Sequence, residues 1–114
     1  MAAATPHTDE FFDVLVIGGG NAGISAAARL LRRGISNVAV IEPQDVHTYR
    51  PLLSYVGGGE ALMRSAERTQ RSVTPRNCRW LRDSAVAVDP AQHTVRCASG
   101  LTYRYRELIV CAGL

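Results

Sequence analysis

The stretch FDVLVIGGGNAGISAAARLL, residues 12–31, decides the fold. It begins with an apolar run that is too short to form a helix, and consecutive glycines end that run. Small and aliphatic residues at helical spacing follow the glycines directly. This order predicts a strand, a tight turn and a helix.

The glycines of this turn fit the G-x-G-x-x-G pattern of dinucleotide-binding folds at Gly18, Gly20 and Gly23. In that pattern the first glycine allows a sharp turn, the second lets the backbone approach a pyrophosphate, and the third lets the helix pack near the strand. Unpaired amides in the first helical turn then point at the anion, and the helix dipole favours it by roughly 0.3–1 kcal/mol. Because glycines also close ordinary turns, the deciding signal must come from further along the chain.

An acidic residue stands where the pattern requires one. Gly34 is expected to end the helix, and residues 38–41 are expected to form a second buried strand that ends at Glu42. A carboxylate at this strand end, about 20 residues after the glycines, accepts hydrogen bonds from the adenosine ribose. It also repels a 2′-phosphate, so FAD or NAD is favoured over NADP. The competing interpretation is a helix cap and a solvent-exposed glutamate that line up by chance.

Composition indicates one small domain, since the chain has 114 residues of which 46% are hydrophobic. The net charge of +3 comes from arginines spread along the chain, so nucleic-acid binding is not indicated. Cys78, Cys97 and Cys111 contain no C-x-x-C pair. We therefore expect no disulfide framework and no metal site, and we interpret these cysteines as structural thiols in a reducing, cytosolic setting.

The polar loop Gln44–Pro51 follows the carboxyl end of the second strand, where ligands bind in open α/β sheets. His47 is interpreted as a surface histidine. Arg50 is a candidate contact to a pyrophosphate or a flavin. A second glycine run at 57–59 lacks the Gly-Lys-Ser/Thr ending of a P-loop, and it is interpreted as a turn before a helix at 60–71.

The last third of the chain changes to a two-residue alternation. Strand segments are expected at 80–81, 86–88, 94–97 and 101–105, and the apolar run 108–114 is expected in the interior of a parallel sheet. A small antiparallel meander followed by a buried strand differs from the further helix and strand crossovers of a simple NAD-binding fold. The order of these elements therefore favours a flavin.

With these segments identified, residues 13–114 resemble the N-terminal FAD-binding segment of the pyridine nucleotide-disulfide oxidoreductase superfamily. The matching segments are 14–23, 38–42 and 105–113. The last follows the family pattern Tyr-Asp-x-Leu-Val-Ile-Ala-Thr-Gly, with Arg106 in place of Asp and Ala112 in place of Thr. The resemblance implies an α/β fold, a Rossmann-like parallel sheet with a small antiparallel β-meander. It also implies an incomplete FAD/NAD(P)-binding domain at 13–114, after a disordered tail at 1–12.

Within the superfamily the chain is similar to sulfide:quinone oxidoreductase in the segments 42–43, 47–51 and 55–59. This resemblance implies that Asn21 and Ala22 meet the pyrophosphate through their amides and that Val86 meets the adenine through its backbone. Arg50 replaces a glutamine that contacts the flavin. The implied FAD-binding residues are Gly18, Gly20, Asn21, Ala22, Gly23, Glu42, Pro43, Arg50, Val86, Ala112 and Gly113. No catalytic residue is implied in this chain, because the family's catalytic cysteines lie beyond the matched part.

The resemblance implies a flavin-dependent oxidoreductase whose complete form oxidises sulfide and passes electrons through FAD to a quinone. Two alternatives stay open, namely a relative of type II NADH:quinone oxidoreductases and a catalytically inert FAD- or ADP-binding fragment. A truncated or split gene product is expected, with an unpaired sheet flank that a second chain supplying the missing half would cover. A cytoplasmic location, peripheral to the inner face of a membrane, is also expected.

Overall fold

The computed structural model of the chain describes residues 10–48, 57–59 and 67–113. In chain order the elements are β1 (Phe11–Ile17), α1 (Asn21–Arg32), β2 (Val38–Ile41), β3 (Val46–Thr48), β4 (Glu67–Thr69), α2 (Gln70–Val73), β5 (Cys78–Leu81), β6 (Ala85–Asp89), β7 (Thr94–Cys97) and β8 (Thr102–Val110). The strand β1 begins before the predicted domain start at residue 13, and residues 1–9 of the predicted tail lie outside the described ranges. Within those ranges, no helix has the length and apolar character needed to cross a membrane.

The central sheet has six strands in the order β5-β2-β1-β8-β7-β6. The first four are parallel to one another, and β6 and β7 form an antiparallel meander with β8. Strands β3 and β4 form a separate antiparallel pair. This architecture confirms the predicted α/β fold, with a Rossmann-like parallel sheet and a small antiparallel part. Ile17 pairs with both Ile41 and Val110, so the carboxyl ends of β1, β2 and β8 lie side by side.

Side chains of β1 and β2 are buried on both faces of the sheet, as their continuous apolar sequences predict. One face is covered by α1, and the other by side chains of the meander. The residues under α1 include Val14, Val16, Val38 and Val40. The opposite cluster includes Leu15, Ala39, Ile41, Val95 and Tyr103. Burying each of these larger aliphatic side chains contributes about 1.5–3 kcal/mol, which fixes β1 between its neighbours.

The end of α1 agrees with the prediction for Gly34. Its φ of +89° is a left-handed conformation that glycine adopts without strain. The Ile35 amide donates to the Leu30 carbonyl at 3.1 Å, and the Gly34 amide donates to the Leu31 carbonyl at 3.1 Å. These bonds satisfy carbonyls at the end of the helix and direct the chain into β2.

The predicted helix at 60–71 is wrong for its described end. Residues Glu67–Thr69 form β4, which pairs with β3 through Val46 and Thr48, and only the residues from Gln70 onward are helical. Pairing with β3 satisfies the backbone hydrogen-bonding groups of these residues. This tertiary contact outweighs their local helix propensity. Thr69 then begins α2, because its side chain accepts a hydrogen bond from the Ser72 amide at 3.2 Å. Residues 60–66 lie outside the described ranges.

The segments predicted separately at 101–105 and 108–114 belong to one strand that ends at Val110. Residues 102–104 pair with β7, and residues between 104 and 110 pair with β1. Val110 is 64% exposed, so the prediction of an interior position is wrong for the end of this run. No described strand pairs with residues 107–110 on the flank away from β1. This unpaired apolar flank agrees with the expectation for the sheet.

Candidate cofactor-binding site

The turn after β1 requires glycine at its first position. Gly18 has a φ of +102°, and a Cβ atom there would lie 2.2 Å from the carbonyl oxygen of Cys111. The chain is held in this position from both sides. The Gly18 amide donates to the Ile41 carbonyl at 2.9 Å, and the Cys111 amide donates to the Ile17 carbonyl at 2.7 Å. The ends of three parallel strands are therefore joined at this turn.

The two other glycines of the pattern differ in what surrounds them. A Cβ atom at Gly23 would lie 1.8 Å from the Gly18 carbonyl oxygen and 3.3 Å from a methyl group of Val16, so glycine lets α1 pack directly against β1. A Cβ atom at Gly20 would meet nothing within 4 Å. The turn and helix-packing roles predicted for Gly18 and Gly23 are confirmed, and Gly20 leaves open space at the start of α1.

A cavity of about 400 Å³ lies at the carboxyl ends of β1, β2 and β8. We call it the main cavity, and it is lined by Gly20, Asn21, Ala22, Glu42, Thr48, Cys111, Ala112 and Gly113. The fold thus brings together most of the predicted binding residues from three separate segments. The amides in the first turn of α1 have no intrahelical partners, because no preceding helical turn supplies carbonyls. Backbone N–H donors and one carboxylate, that of Glu42, therefore line the same cavity.

Glu42 lies against the glycine turn. Its Oε1 accepts a hydrogen bond from the Gly19 amide at 2.8 Å, and its Oε2 accepts one from the Gln44 amide at 2.9 Å. The Trp80 indole donates to the Glu42 carbonyl at 2.9 Å, which also fixes the backbone at this strand end. The interpretation of Glu42 as a solvated glutamate unrelated to the turn is therefore wrong. Each carboxylate oxygen keeps a lone pair for a further donor.

The carbonyl of Gly19 is held by two side chains from elsewhere in the chain. His47 places Nδ1 at 3.1 Å from the Gly19 oxygen, and Gln70 donates Nε2–H to the same oxygen at 3.0 Å. His47 is 7% exposed and Gln70 is 1% exposed. The prediction of a surface histidine at position 47 is wrong, because the β3–β4 hairpin folds over the turn and buries the ring. A smaller cavity of about 170 Å³, the side cavity, lies here.

The comparison with known families agrees with this geometry. The sequence model of the family described as pyridine nucleotide-disulphide oxidoreductase matches residues 12–114, which include the whole sheet except Phe11. The chain belongs to this family. Members of the pyridine nucleotide-disulphide oxidoreductase family typically use a flavin.

One curated relative is the mitochondrial sulfide:quinone oxidoreductase of the mouse, Mus musculus. It is 38% identical to this chain over 104 residues, which are 90% of this chain and 23% of the mouse protein. The chain therefore spans less than a quarter of that relative's length.

Solved structures of the family share the fold. The X-ray structure of sulfide:quinone oxidoreductase from Aquifex aeolicus superposes with a TM-score of 0.71 at 22% identity, covering 91% of this chain and 24% of the bacterial one. The structure of NDH2 from Plasmodium falciparum in complex with NADH gives a TM-score of 0.72 at 18% identity, covering 93% and 23%. At these identities the likeness supports the fold alone.

Pro43 and Val86 are predicted contact residues that do not line the main cavity. Pro43 follows β2 and is exposed, and it lines neither the main nor the side cavity. Val86 lies on β6 at the far edge of the sheet and is 52% exposed. Arg50 lies outside the described residues. The cofactor contacts of these residues stay predictions.

Several residues at the site were not selected from the sequence. Thr48 and Cys111 line the main cavity, and His47 and Gln70 hold the turn. Cys111 directly precedes the selected Ala112, so its position could have been found. His47 and Gln70 lie 28 and 51 residues from Gly19, and no local pattern connects residues at such separations.

Two of the cysteines are buried in the sheet. Burial raises the pKa of the Cys78 thiol to about 11. Burial raises the pKa of the Cys97 thiol to about 11 as well, with a contribution from the Asp83 charge. Near neutral pH both are protonated and behave as small apolar side chains, in agreement with the prediction of structural thiols. Cys111 is partly exposed beside the main cavity.

We expect a maleimide to label Cys111 at least roughly tenfold faster than Cys78 and Cys97, because burial and protonation slow reaction. Bound FAD should slow labelling of Cys111 selectively.

The unfolding free energy should fall between about pH 9 and pH 11, because unfolded thiols ionise near 9.0 and the buried ones near 11. Urea titrations across this pH range measure the unfolding free energy, and peptide mass mapping measures the labelling rates of the three cysteines. Equal labelling rates would contradict the burial assignments.

Proposed function

We propose that the chain is the FAD-binding N-terminal segment of a flavin-dependent oxidoreductase most like sulfide:quinone oxidoreductase. The observation that carries this proposal is the main cavity, where the glycine turn and a fixed carboxylate face one volume. The 38% identity to the mouse sulfide:quinone oxidoreductase supports this branch of the family.

The residues around the main cavity suit a dinucleotide phosphate group. The open space at Gly20 permits close approach to the backbone, and Ala112 and Gly113 carry little or no side chain on the opposite wall. The amides of Asn21 and Ala22 would hold the pyrophosphate, and the dipole of α1 favours the anion there without a cationic side chain.

Glu42 would bind the adenosine ribose of FAD. The bonds from Gly19 and Gln44 fix the carboxylate and leave acceptor lone pairs for ribose hydroxyls. The same negative charge disfavours a 2′-phosphate, which supports FAD over a phosphorylated NADP-type ligand. The residues of this chain therefore bind and orient the cofactor.

When bound, FAD supplies two-electron transfer between a donor and an acceptor. In the complete enzyme we propose sulfide as the donor and a quinone as the acceptor. The exposed Val110 and the flank of β8 that no described strand pairs with support a second segment or chain that pairs there. The cytoplasmic location, peripheral to the inner face of a membrane, stays a prediction.

Type II NADH:quinone oxidoreductase is the alternative enzyme class. It is compatible with the fold that the chain shares with NDH2 from Plasmodium falciparum in complex with NADH, at a TM-score of 0.72. A catalytically inert FAD- or ADP-binding fragment is the third possibility, and it is compatible with the short span of the chain relative to the mouse protein.

The three proposals differ in how the flavin responds to electron donors. We expect the purified chain, alone or with a second chain supplying the rest of the protein, to retain a visible flavin absorbance band through gel filtration. In the two-chain sample we expect sulfide to bleach that band and NADH to leave it unchanged. Bleaching by NADH alone would support the alternative enzyme. A retained band that neither donor bleaches would support the inert fragment.

A further inference from the structure

We propose that His47 and Gln70 are positioning residues that orient the peptide between Gly19 and Gly20, so that the Gly20 N–H faces the diphosphate of the bound dinucleotide. This inference rests on the proposed FAD-binding function. It assigns a binding role to the β3–β4 hairpin and α2, which the glycine pattern does not include.

Both backbone polar atoms of Gly19, its carbonyl oxygen and its amide nitrogen, take part in hydrogen bonds to side chains. The carbonyl oxygen accepts from His47 and Gln70, while the amide donates to Glu42. Because a carbonyl can only accept, the Nδ1 atom of His47 carries the proton in this contact. All described buried side-chain nitrogen and oxygen atoms have hydrogen-bond partners, and the partner of Gln70 Nε2 is the Gly19 carbonyl oxygen.

Because the peptide group is planar, fixing the Gly19 carbonyl also fixes the direction of the Gly20 N–H. The described peptide bonds are all trans, so the C=O of Gly19 and the N–H of Gly20 point in opposite directions from one rigid plane. The carbonyl points toward His47 and Gln70, which line the side cavity. The Gly20 N–H therefore points away from them. Gly20 lines both cavities, whereas His47 and Gln70 line only the side cavity, so the direction away from them is the direction of the main cavity.

The packing at Gly19 is tight enough to make the arrangement specific. A Cβ atom there would lie 2.7 Å from Gln70 Nε2 and 2.7 Å from the Cβ of Glu42. Position 19 is an unrestricted position in the G-x-G-x-x-G pattern. In this chain glycine is required there because Gln70 and Glu42 approach the turn so closely.

Gln70 itself is anchored by its backbone. Its amide donates to the Asp45 carbonyl at 2.6 Å, and its carbonyl accepts from the Thr74 amide at 3.1 Å. The side chain of Gln70 therefore extends from a backbone that hydrogen bonds hold in place. A residue that positions another group needs such a fixed backbone. A Gln70→Met variant keeps the approximate length of the side chain and removes its carboxamide, including the donor to the Gly19 carbonyl.

The test compares binding of ADP and adenosine to the full chain by calorimetry. We expect Gln70→Met to weaken ADP binding about tenfold, because misdirecting one donor to a charged group costs about that factor. Adenosine binding should stay within about twofold. His47→Leu should behave in the same way, whereas His47→Asn should restore ADP affinity because its amide can reach the Gly19 carbonyl. The Gln70 variant and the His47 variants test the inference independently. If the variants at one position do not fold, those at the other position still decide it.

His93 provides the control. Its Nδ1 lies 3.3 Å from the Tyr105 carbonyl, near the amino end of β1 and away from the glycine turn. Its φ of +54° suits asparagine, so His93→Asn should fold and leave the ratio of ADP to adenosine affinity unchanged. Equal losses for ADP and adenosine in the Gln70 and His47 variants would show a merely structural role and overturn the inference. If the unaltered chain binds no ADP, the proposed function fails and the inference fails with it.

Discussion

Replacing Gly23 with alanine is expected to lower the unfolding free energy by about 3 kcal/mol. The new methyl group would lie 1.8 Å from the Gly18 carbonyl oxygen, so either the turn or α1 must move. The turn resists movement because the Gly18 amide is bonded to the Ile41 carbonyl. Moving α1 instead uncovers Val14 and Val16. Urea unfolding followed by circular dichroism measures the loss.

Gly20→Ala is the matched control for this prediction. Its φ of −71° and ψ of −170° are ordinary for alanine, and no heavy atom lies within 4 Å of the new methyl group. We expect the unfolding free energy to stay unchanged or rise by up to about 1 kcal/mol, because alanine restricts the unfolded chain. FAD affinity should nevertheless fall, since the methyl group stands in the main cavity. Equal stability of the Gly23 and Gly20 variants would contradict the packing described for α1.

Removing the carboxylate of Glu42 is expected to reduce FAD affinity about 100-fold in Glu42→Ala, because hydrogen bonds to a charged group contribute about 1.5–3 kcal/mol. The variant also loses the contact that holds the Gly19 amide. Glu42→Gln keeps one acceptor oxygen but places an NH₂ group near one of two backbone donors, so we expect an intermediate loss of about tenfold. Fluorescence titration of FAD with each variant measures the affinities.

Asp45→Asn is the control for the Glu42 variants. Asp45 is a nearby acid whose side chain is 55% exposed and forms an ion pair with Arg82 at 2.5 Å. It lines neither the main nor the side cavity, and exposed pairs contribute at most about 1 kcal/mol. FAD affinity should therefore be unchanged in Asp45→Asn. If Glu42→Ala binds FAD as tightly as this control, the ribose-binding role of Glu42 is wrong.

The sequence predicted the first half of the site because the necessary signals are local. Gly18 and Gly23 are required by contacts within one strand, turn and helix, and the short apolar run at 38–41 is typical of a buried parallel strand. The position of Glu42 follows from the end of that strand. Short connections leave the chain few ways to arrange these elements.

The errors occurred where distant parts of the chain decide the structure. Residues 67–69 directly precede the helix α2, yet their backbone pairs with β3. His47 lies in a polar segment, yet it is buried against a carbonyl 28 residues away. The segments 101–105 and 108–114 are predicted separately, although β8 continues from one into the other because β1 pairs with residues of both. These contacts are set by tertiary structure and leave no periodic signal.

The most direct measurement is an amide NMR titration of the folded chain with ADP. The account predicts saturable shifts concentrated at residues 19–23 and 111–113 and at Glu42 and Gln44, around the glycine turn, the fixed carboxylate and the end of β8. Amides of β6 and of the turn at His93 should remain unshifted. A folded sample with no shifts at saturating ADP, or with shifts confined to other parts of the sheet, would contradict the assignment of this cavity as a dinucleotide site.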